Sequence, residues 1–165
     1  MFFRVKKIKG KEYAYIVENS WKRKGSRQKV KDYIGRVYRF NFVNNVNFLE
    51  YFKIENFQAY IDNNDKNKII NDLIEWELFK HVISKQEFLI DSSNIKIQKN
   101  NKNVALLIND GFMCGYTINN LINFTAEGNE STDGYRLARA FVEAGIKVSQ
   151  EIFVGLFGKV YIKQD

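Results

Sequence analysis

Apolar and polar residues alternate with a period of two along the first 40 residues, and this period is typical of β-strands. The alternation is clearest where Tyr13, Tyr15 and Val17 fall on one face of a strand. Gly10 and Gly25 interrupt the pattern, and Gly25 can supply the positive φ that a hairpin loop needs. We therefore predict a three-stranded antiparallel β-meander over residues 2–9, 11–22 and 26–40.

The third predicted strand divides its charged and apolar residues between two faces. Arg27, Lys29 and Lys31 share one face, because they are two positions apart. The intervening residues share the opposite face: Gln28, Val30, Asp32 and Ile34. The meander should therefore have one cationic side.

Helical periodicity dominates the remaining 125 residues. Asp65 is a predicted N-cap for a long apolar helix that ends near residue 83, and Ser149 for a helix over residues 150–157. We predict one or two brief helices within residues 41–64 and further helices over residues 116–124 and 135–144, with a polar loop at 128–134. Strands are predicted over residues 88–90, 95–98 and 104–108, the last two forming a hairpin.

The predicted fold class is α+β. A basic N-terminal three-stranded antiparallel β-meander is followed by a mainly helical region containing a second small β-hairpin. We expect residues 1–40 to form a nucleic-acid-binding β-sheet region and residues 41–165 a mainly helical α+β region. The two regions form either one compact domain or two parts joined by a hinge near residues 40–47.

Charge is distributed unequally between these two regions. The first 40 residues hold thirteen lysines and arginines and three acidic residues, a net charge of +10, whereas the whole chain carries +7. The remaining residues therefore carry −3. Five of the seven arginines also lie in the first 40 residues. A polyanion would meet the N-terminal region first.

The hairpin tip concentrates this charge beside an aromatic residue. Trp21 precedes three consecutive cations, and the same surface continues along the third strand. A charged tip that only keeps a hairpin soluble is the alternative interpretation, and the continuing cations favour binding. We predict these nucleic-acid-binding residues: Arg4, Lys6, Lys7, Trp21, Lys22, Arg23, Lys24, Arg27, Lys29, Lys31 and Arg36.

Aromatic residues of the meander could stack on unpaired bases. Trp21, in a loop, is the strongest candidate. Tyr13, Tyr15 and Tyr33 are further candidates, although for Tyr13 and Tyr15 we expect the buried face of the sheet.

No arrangement of residues indicates an enzyme. His81 is expected on the polar side of the long helix, near its C-terminal end, and Cys114 among apolar neighbours as a small buried thiol. The carboxylates match no metal-site spacing, so no metal or other cofactor is predicted. With one cysteine and no apolar run long enough to span a bilayer, we expect a cytoplasmic protein with no membrane partner.

One stretch of the chain resembles a known family. Residues 3–19, FRVKKIKGKEYAYIVEN, and residues 27–36, RQKVKDYIGR, resemble the N-terminal hairpin region of insertion-sequence transposases of the Asp/Asp/Glu type. The resemblance implies a hairpin that contacts DNA. It does not imply strand transfer, because no acidic triad can be placed on the chain. The remainder resembles small uncharacterised archaeal proteins, most distinctively at residues 134–145, GYRLARAFVEAG.

The sequence thus predicts a non-enzymatic nucleic-acid-binding protein that grips the phosphate backbone through its basic N-terminal β-hairpin. Sequence specificity should be weak, with DNA slightly favoured over RNA. The alternative is a protein–protein interaction, or a structural role in a ribonucleoprotein or other large complex. In that case the C-terminal region would bind a protein partner or form a homodimer. Its apolar segment around Ile152 and Leu156 could instead close the core.

Overall fold

The computed structural model describes residues 1–23 and 25–161. Lys24 and residues 162–165 lie outside the described residues, as does the side chain of Lys22.

Three antiparallel strands begin the chain, as the alternation predicts. They are β1 Phe2–Ile8, β2 Lys11–Lys22 and β3 Gly25–Arg39. Lys9 and Gly10, both with positive φ, form the two-residue turn between β1 and β2. This turn geometry suits a hairpin because its twist matches the twist of the strands.

The sheet continues through strands from the second half of the chain. β3 pairs in parallel with β6, Lys102–Ile108. The opposite edge of β6 pairs with β5, Lys96–Lys99, and with β7, Gly111–Met113, while β4, Leu89–Asp91, pairs with β5. The sequence predicted the β5–β6 hairpin, but it revealed neither β7 nor the β3–β6 pairing. Residues 1–40 therefore share a sheet with the second half of the chain.

Gly35 makes the β3–β6 pairing sterically feasible. Its φ is +137°, and a Cβ at this position would lie 2.0 Å from the carbonyl oxygen of Asn103. Glycine is therefore required both for the backbone conformation and for the close approach of the two strands.

The sheet curls until its two ends meet. β1 and β7 are four strand spacings apart in the order β1-β2-β3-β6-β7, which would separate them by about 19 Å in a flat sheet. The rings of Phe3 and Phe112 nevertheless stack with centroids 4.7 Å apart. The concave side encloses an apolar cluster, here called the inner cluster. Its buried members are Ala14, Ile16, Ile34, Val37, Ala105 and Cys114.

Strand β6 separates the inner cluster from the main core. Ala105 belongs to the inner cluster, whereas Val104, Leu106 and Ile108 belong to the main core. A strand buried on both faces has a continuous apolar run instead of alternation. The location of β6 between the inner cluster and the main core therefore explains the continuous apolar run over residues 104–108.

Six described helices build the rest of the main core: α1 Phe48–Tyr51, α2 Phe57–Asn63, α3 Lys66–Lys80, α4 Gly115–Ile122, α5 Glu130–Glu143 and α6 Gln150–Tyr161. Asp65 caps α3 as predicted, because its side chain accepts a hydrogen bond from the backbone N–H of Lys68. Ile152, Leu156 and Val160 of α6 are buried in the main core, so this segment closes the core.

Helix α5 begins earlier than the sequence predicted. Residues 130–134 are helical, so the predicted loop at 128–134 is wrong for most of its length. Asn129 caps the helix, and its side chain accepts from the backbone N–H of Thr132 at 2.9 Å. The carboxylate of the buried Asp133 accepts from three successive backbone N–H groups at 2.9–3.1 Å. In the sequence, these polar residues resembled a loop. In the structure, their side chains accept hydrogen bonds from backbone N–H groups at the start of the helix.

Candidate nucleic-acid interface

The β2–β3 hairpin extends beyond the inner cluster into solvent. The first nine residues of β3 are all exposed, and burial begins at Ile34. Near the tip, the Trp21 side chain is 81% exposed and Arg23 is also exposed. Lys24 and the side chain of Lys22, two of the predicted contacts, lie outside the described residues.

The strand register assigns each residue of the meander to one of two faces, because directly opposed residues share a face. Inner-face positions oppose one another around the inner cluster, for example Val5 and Ala14. Outer-face positions point the other way, for example Arg4 opposite Tyr15 and Lys6 opposite Tyr13. Here the inner face means the concave side of β1–β3, and the outer face means its convex side.

The predicted cations divide between these faces. Arg4, Lys6 and Arg36 lie on the outer face. Lys7, Arg27 and Lys29 lie on the inner face, opposite Glu12, Ser20 and Glu18 respectively. Trp21 opposes Ser26 on the outer face, roughly 20 Å along the strand from Tyr15. The structure therefore does not place Trp21 on the same face as Arg27 and Lys29.

Two register shifts in β3 explain why the sequence predicted the wrong face for Asp32 and Ile34. They fall between Ala14 and Tyr15 and between Ile16 and Val17 of β2, and an extra residue at each bulge breaks the alternation. Asp32 consequently opposes Ile16, and Ile34 joins the inner cluster. The prediction that Asp32 and Ile34 lie opposite the cationic face is wrong.

Two inner-face cations are neutralised by carboxylates. Lys31 forms a salt bridge with Glu18 at 2.7 Å, and Arg39 forms a bidentate one with Glu12 at 2.6 and 2.9 Å. Hydrogen bonds from Lys31 and Arg39 hold the pKa of Glu18 and Glu12 below the usual glutamate range.

The outer face contrasts with this mixture of charges. The only acidic residues of the first 40, Glu12, Glu18 and Asp32, oppose inner-face residues. In the described part of the meander, the outer face therefore has cations and no carboxylate. Its strand cations are Arg4, Lys6, Lys11 and Arg36.

Three tyrosines lie between these cations. One row across the strands is Arg4, Tyr15 and Tyr33, and the next is Lys6, Tyr13 and Arg36. The Tyr15 and Tyr33 ring centroids are 5.3 Å apart, and those of Tyr13 and Tyr33 are 6.4 Å apart. We call these residues the tyrosine array: Tyr13, Tyr15 and Tyr33.

Cation–π contacts hold two of the cations in place. Lys6 Nζ lies 4.9 Å from the centroid of the Tyr15 ring, and the Arg36 guanidinium lies 4.7 Å from that of Tyr38. The Arg4 guanidinium donates a hydrogen bond to the side-chain carbonyl of Gln28. These contacts limit the conformational freedom that binding would otherwise remove.

The expectation that Tyr13 and Tyr15 lie on the buried face is wrong. The inner cluster takes the alternate positions Ala14 and Ile16, and both tyrosines are only partly buried. Alternation alone did not reveal this, because Glu12 and Glu18 share the inner face with Ala14 and Ile16 and made that face look polar; both glutamates lie at its open ends.

The single histidine lies in a buried polar cluster on α3. Glu77 is completely buried, and its carboxylate accepts from Lys80 Nζ, Asn109 Nδ2 and the backbone N–H of Lys147 at 2.8–2.9 Å. His81 is the C-cap of the helix, so its predicted position near the C-terminal end is confirmed, but it is buried and the predicted polar side is wrong. These bonds tie α3 to the β6–β7 turn and to the α5–α6 loop.

The described residues offer few other candidates for catalysis or metal binding. Burial raises the pKa of the Cys114 thiol, which makes it a weaker nucleophile at neutral pH. Within residues 1–23 and 25–161, no three histidine, cysteine or acidic side chains gather into a group that could hold a metal ion. None of the described helices combines the length and apolarity that crossing a bilayer requires.

No protein-family model, curated protein or solved structure matches this chain significantly.

Proposed function

We propose that this protein binds nucleic acid without catalysing a reaction on it, and that the outer face of the β1–β3 meander holds the phosphate backbone. The observation that carries the proposal is the separation of charge between the two faces. Cations occupy the outer face without a carboxylate in the described meander, while all three acidic residues of this region oppose inner-face positions.

This separation favours a polyanionic ligand for an electrostatic reason. Phosphates attract lysine and arginine and release condensed counterions when these side chains bind. Carboxylates on the same surface would oppose this attraction, so the outer face should bind phosphates more strongly than the inner face. Arg23 and Trp21, near the exposed hairpin tip, would extend the contact surface toward the end of the hairpin.

The expected specificity is weak. Contacts to phosphates position a protein on nucleic acid but carry no direct sequence information. The resemblance of residues 3–19 and 27–36 to the hairpin region of insertion-sequence transposases favours DNA over RNA. The same outer-face chemistry would bind either backbone.

A salt-dependent anisotropy titration tests the proposal. Labelled single-stranded DNA, duplex DNA and RNA would be titrated at ~50 and ~200 mM salt. The test variant neutralises three outer-face cations, Arg4→Gln, Lys6→Gln and Arg36→Gln. The control neutralises three exposed lysines outside the meander: Lys53→Gln, Lys96→Gln and Lys147→Gln.

We expect the outer-face variant to reduce the slope of log affinity against log salt by about 2 for single strands, because three phosphate contacts are lost. The control variant should keep the wild-type slope. Absence of wild-type binding below tens of micromolar at low salt would contradict the proposal, as would equal losses in the two variants.

A further inference from the structure

Three tyrosines share the outer face with the cations; Tyr33 is exposed, and Tyr13 and Tyr15 are partly buried. Neither the inner cluster nor the main core includes Tyr13, Tyr15 or Tyr33. Tyr33 is 53% exposed, and its described ring contacts are with the other two tyrosines. Phe3, on the concave side of the same sheet, instead stacks on Phe112 and packs against the inner cluster.

We infer that the tyrosine array is a base-stacking platform that makes this protein select single-stranded over double-stranded nucleic acid. The inference rests on the proposed function, because the flanking cations must hold the backbone near the rings. The inference also specifies the class of nucleic acid that binds: a strand whose bases are unpaired and free to stack.

The arrangement of the two rows suits this ligand. In each row, a tyrosine of β2 lies beside a cation of β1, with Tyr33 or Arg36 on β3 completing the row. Neighbouring strands are about 4.8 Å apart, so a base stacked on Tyr15 or Tyr33 would keep its phosphate within reach of Arg4 or Lys6. Rings stack on any base, because every base has a π-face.

A duplex cannot use the same rings. Its bases are already stacked on one another and expose only their edges in the grooves. Duplex DNA would therefore contact the outer-face cations alone, whereas a single strand would gain stacking in addition. Burial, followed by the neighbouring Tyr15 and Tyr13, raises the pKa of the Tyr33 phenol above its usual value, so this phenol stays neutral at physiological pH and does not repel phosphates.

The test replaces rings and leaves charges unchanged. The variant Tyr15→Leu with Tyr33→Leu removes two aromatic faces but retains apolar bulk. Tyr135→Leu is the matched control, because Tyr135 is a 69% exposed tyrosine of α5, outside the meander. A second variant, Tyr15→Phe with Tyr33→Phe, keeps both rings.

Single-stranded DNA, single-stranded RNA of the same sequence and duplex DNA would be titrated by fluorescence anisotropy at one salt concentration. We expect the leucine variant to lose about tenfold or more in affinity for both single strands, in line with stacking of one or two bases. Its duplex affinity and its salt slope should change little. The phenylalanine variant and Tyr135→Leu should bind as the wild type does.

The outcomes separate this inference from the proposed function. If the wild type binds no nucleic acid, the proposed function fails and the inference fails with it. If the wild type binds but the leucine variant keeps its single-strand affinity, or loses single-strand and duplex affinity equally, only the stacking platform is refuted. A thermal melt of each variant identifies misfolding, and the phenylalanine variant then still decides whether the hydroxyls, instead of the rings, are needed.

Discussion

The two faces of one three-stranded meander differ in how their aromatic and charged residues are used. On the inner face, Phe3 stacks on Phe112, and Glu12 and Glu18 neutralise Arg39 and Lys31. On the outer face, the tyrosines contact mainly one another, and the cations have no carboxylate on their face in the described meander. The inner face thus contributes mainly to folding, whereas the outer face presents cations without a carboxylate partner on that face, and we propose that this face binds.

The comparison predicts that equivalent substitutions on the two faces have different effects. Inner-face changes should lower the free energy of unfolding, because they disturb the closure of the curled sheet. Changes at exposed outer-face positions should alter binding and leave stability nearly unchanged, whereas Val17, which is 1% exposed, is the buried exception on that face.

The largest effect on stability is expected for Gly35→Ala. The new Cβ would overlap the Asn103 carbonyl, in a backbone conformation that favours glycine, and we expect a loss of about 3 to 4 kcal/mol from these two causes together. Gly10→Ala is the control, because its φ is also positive but its Cβ would meet no atom within 4 Å. It should lose about 1 kcal/mol. Urea unfolding measures both, and equal losses would show that the close contact with β6 does not matter.

The next largest loss of stability is expected when a buried inner-face residue is truncated. Ile16 is 2% exposed in the inner cluster, so Ile16→Ala should lower the free energy of unfolding by about 2 to 4 kcal/mol. Val30→Ala, at a 46% exposed outer-face position, should cost no more than about 0.5 kcal/mol. Similar losses for the two variants in urea unfolding would remove the distinction between the faces.

Consecutive phenylalanines allow a finer test of the curl. Phe3 points inward to Phe112, whereas Phe2 lies on the outer face. A double-mutant cycle of Phe3→Leu with Phe112→Leu should give a coupling of about 1 kcal/mol. The same cycle with Phe2→Leu in place of Phe3→Leu should give none. A coupling near zero for Phe3 would mean that β1 and β7 do not meet.

The smallest expected effect is on how protein stability depends on pH. The hydrogen bond from Arg39 lowers the pKa of Glu12 in the folded protein. This pair therefore contributes stability at pH values above the ordinary glutamate pKa, and the contribution is lost as the pH falls through the lowered value. Glu12→Gln should be less stable than the wild type at neutral pH and equally stable in strong acid. A difference that persists unchanged to pH ~2 would exclude this titration.

The sequence was sufficient for most of the local structure, although not for β7 or the start of α5, and it was insufficient for long-range pairing. The period of two gave the meander, and the Asp65 cap placed the start of α3 correctly, because both signals arise from residues close together in the chain. The β3–β6 pair could not be predicted, since it joins residues 36–39 to 104–107 through contacts that leave no local pattern. Its traces in the sequence were Gly35 and the continuous apolar run over residues 104–108.

The prediction of the candidate site was limited in the same way, because long-range structure decides which side chains share a face. Charge asymmetry identified the N-terminal region, but the faces of Asp32 and Ile34 depended on bulges that alternation alone does not reveal. The outward position of Tyr13 and Tyr15 depended on the curl, which requires β6 and β7. Only the folded sheet groups the tyrosines with Arg4, Lys6 and Arg36.

The most direct test compares equal charge losses on the two faces. One variant combines Arg4→Gln, Lys6→Gln and Arg36→Gln on the outer face, and the other combines Lys7→Gln, Arg27→Gln and Lys29→Gln on the inner face. Anisotropy titrations of single-stranded DNA at low salt should show that the outer-face variant loses at least about tenfold more affinity than the inner-face variant. Equal losses, or a larger loss for the inner-face variant, would contradict an outer-face binding surface.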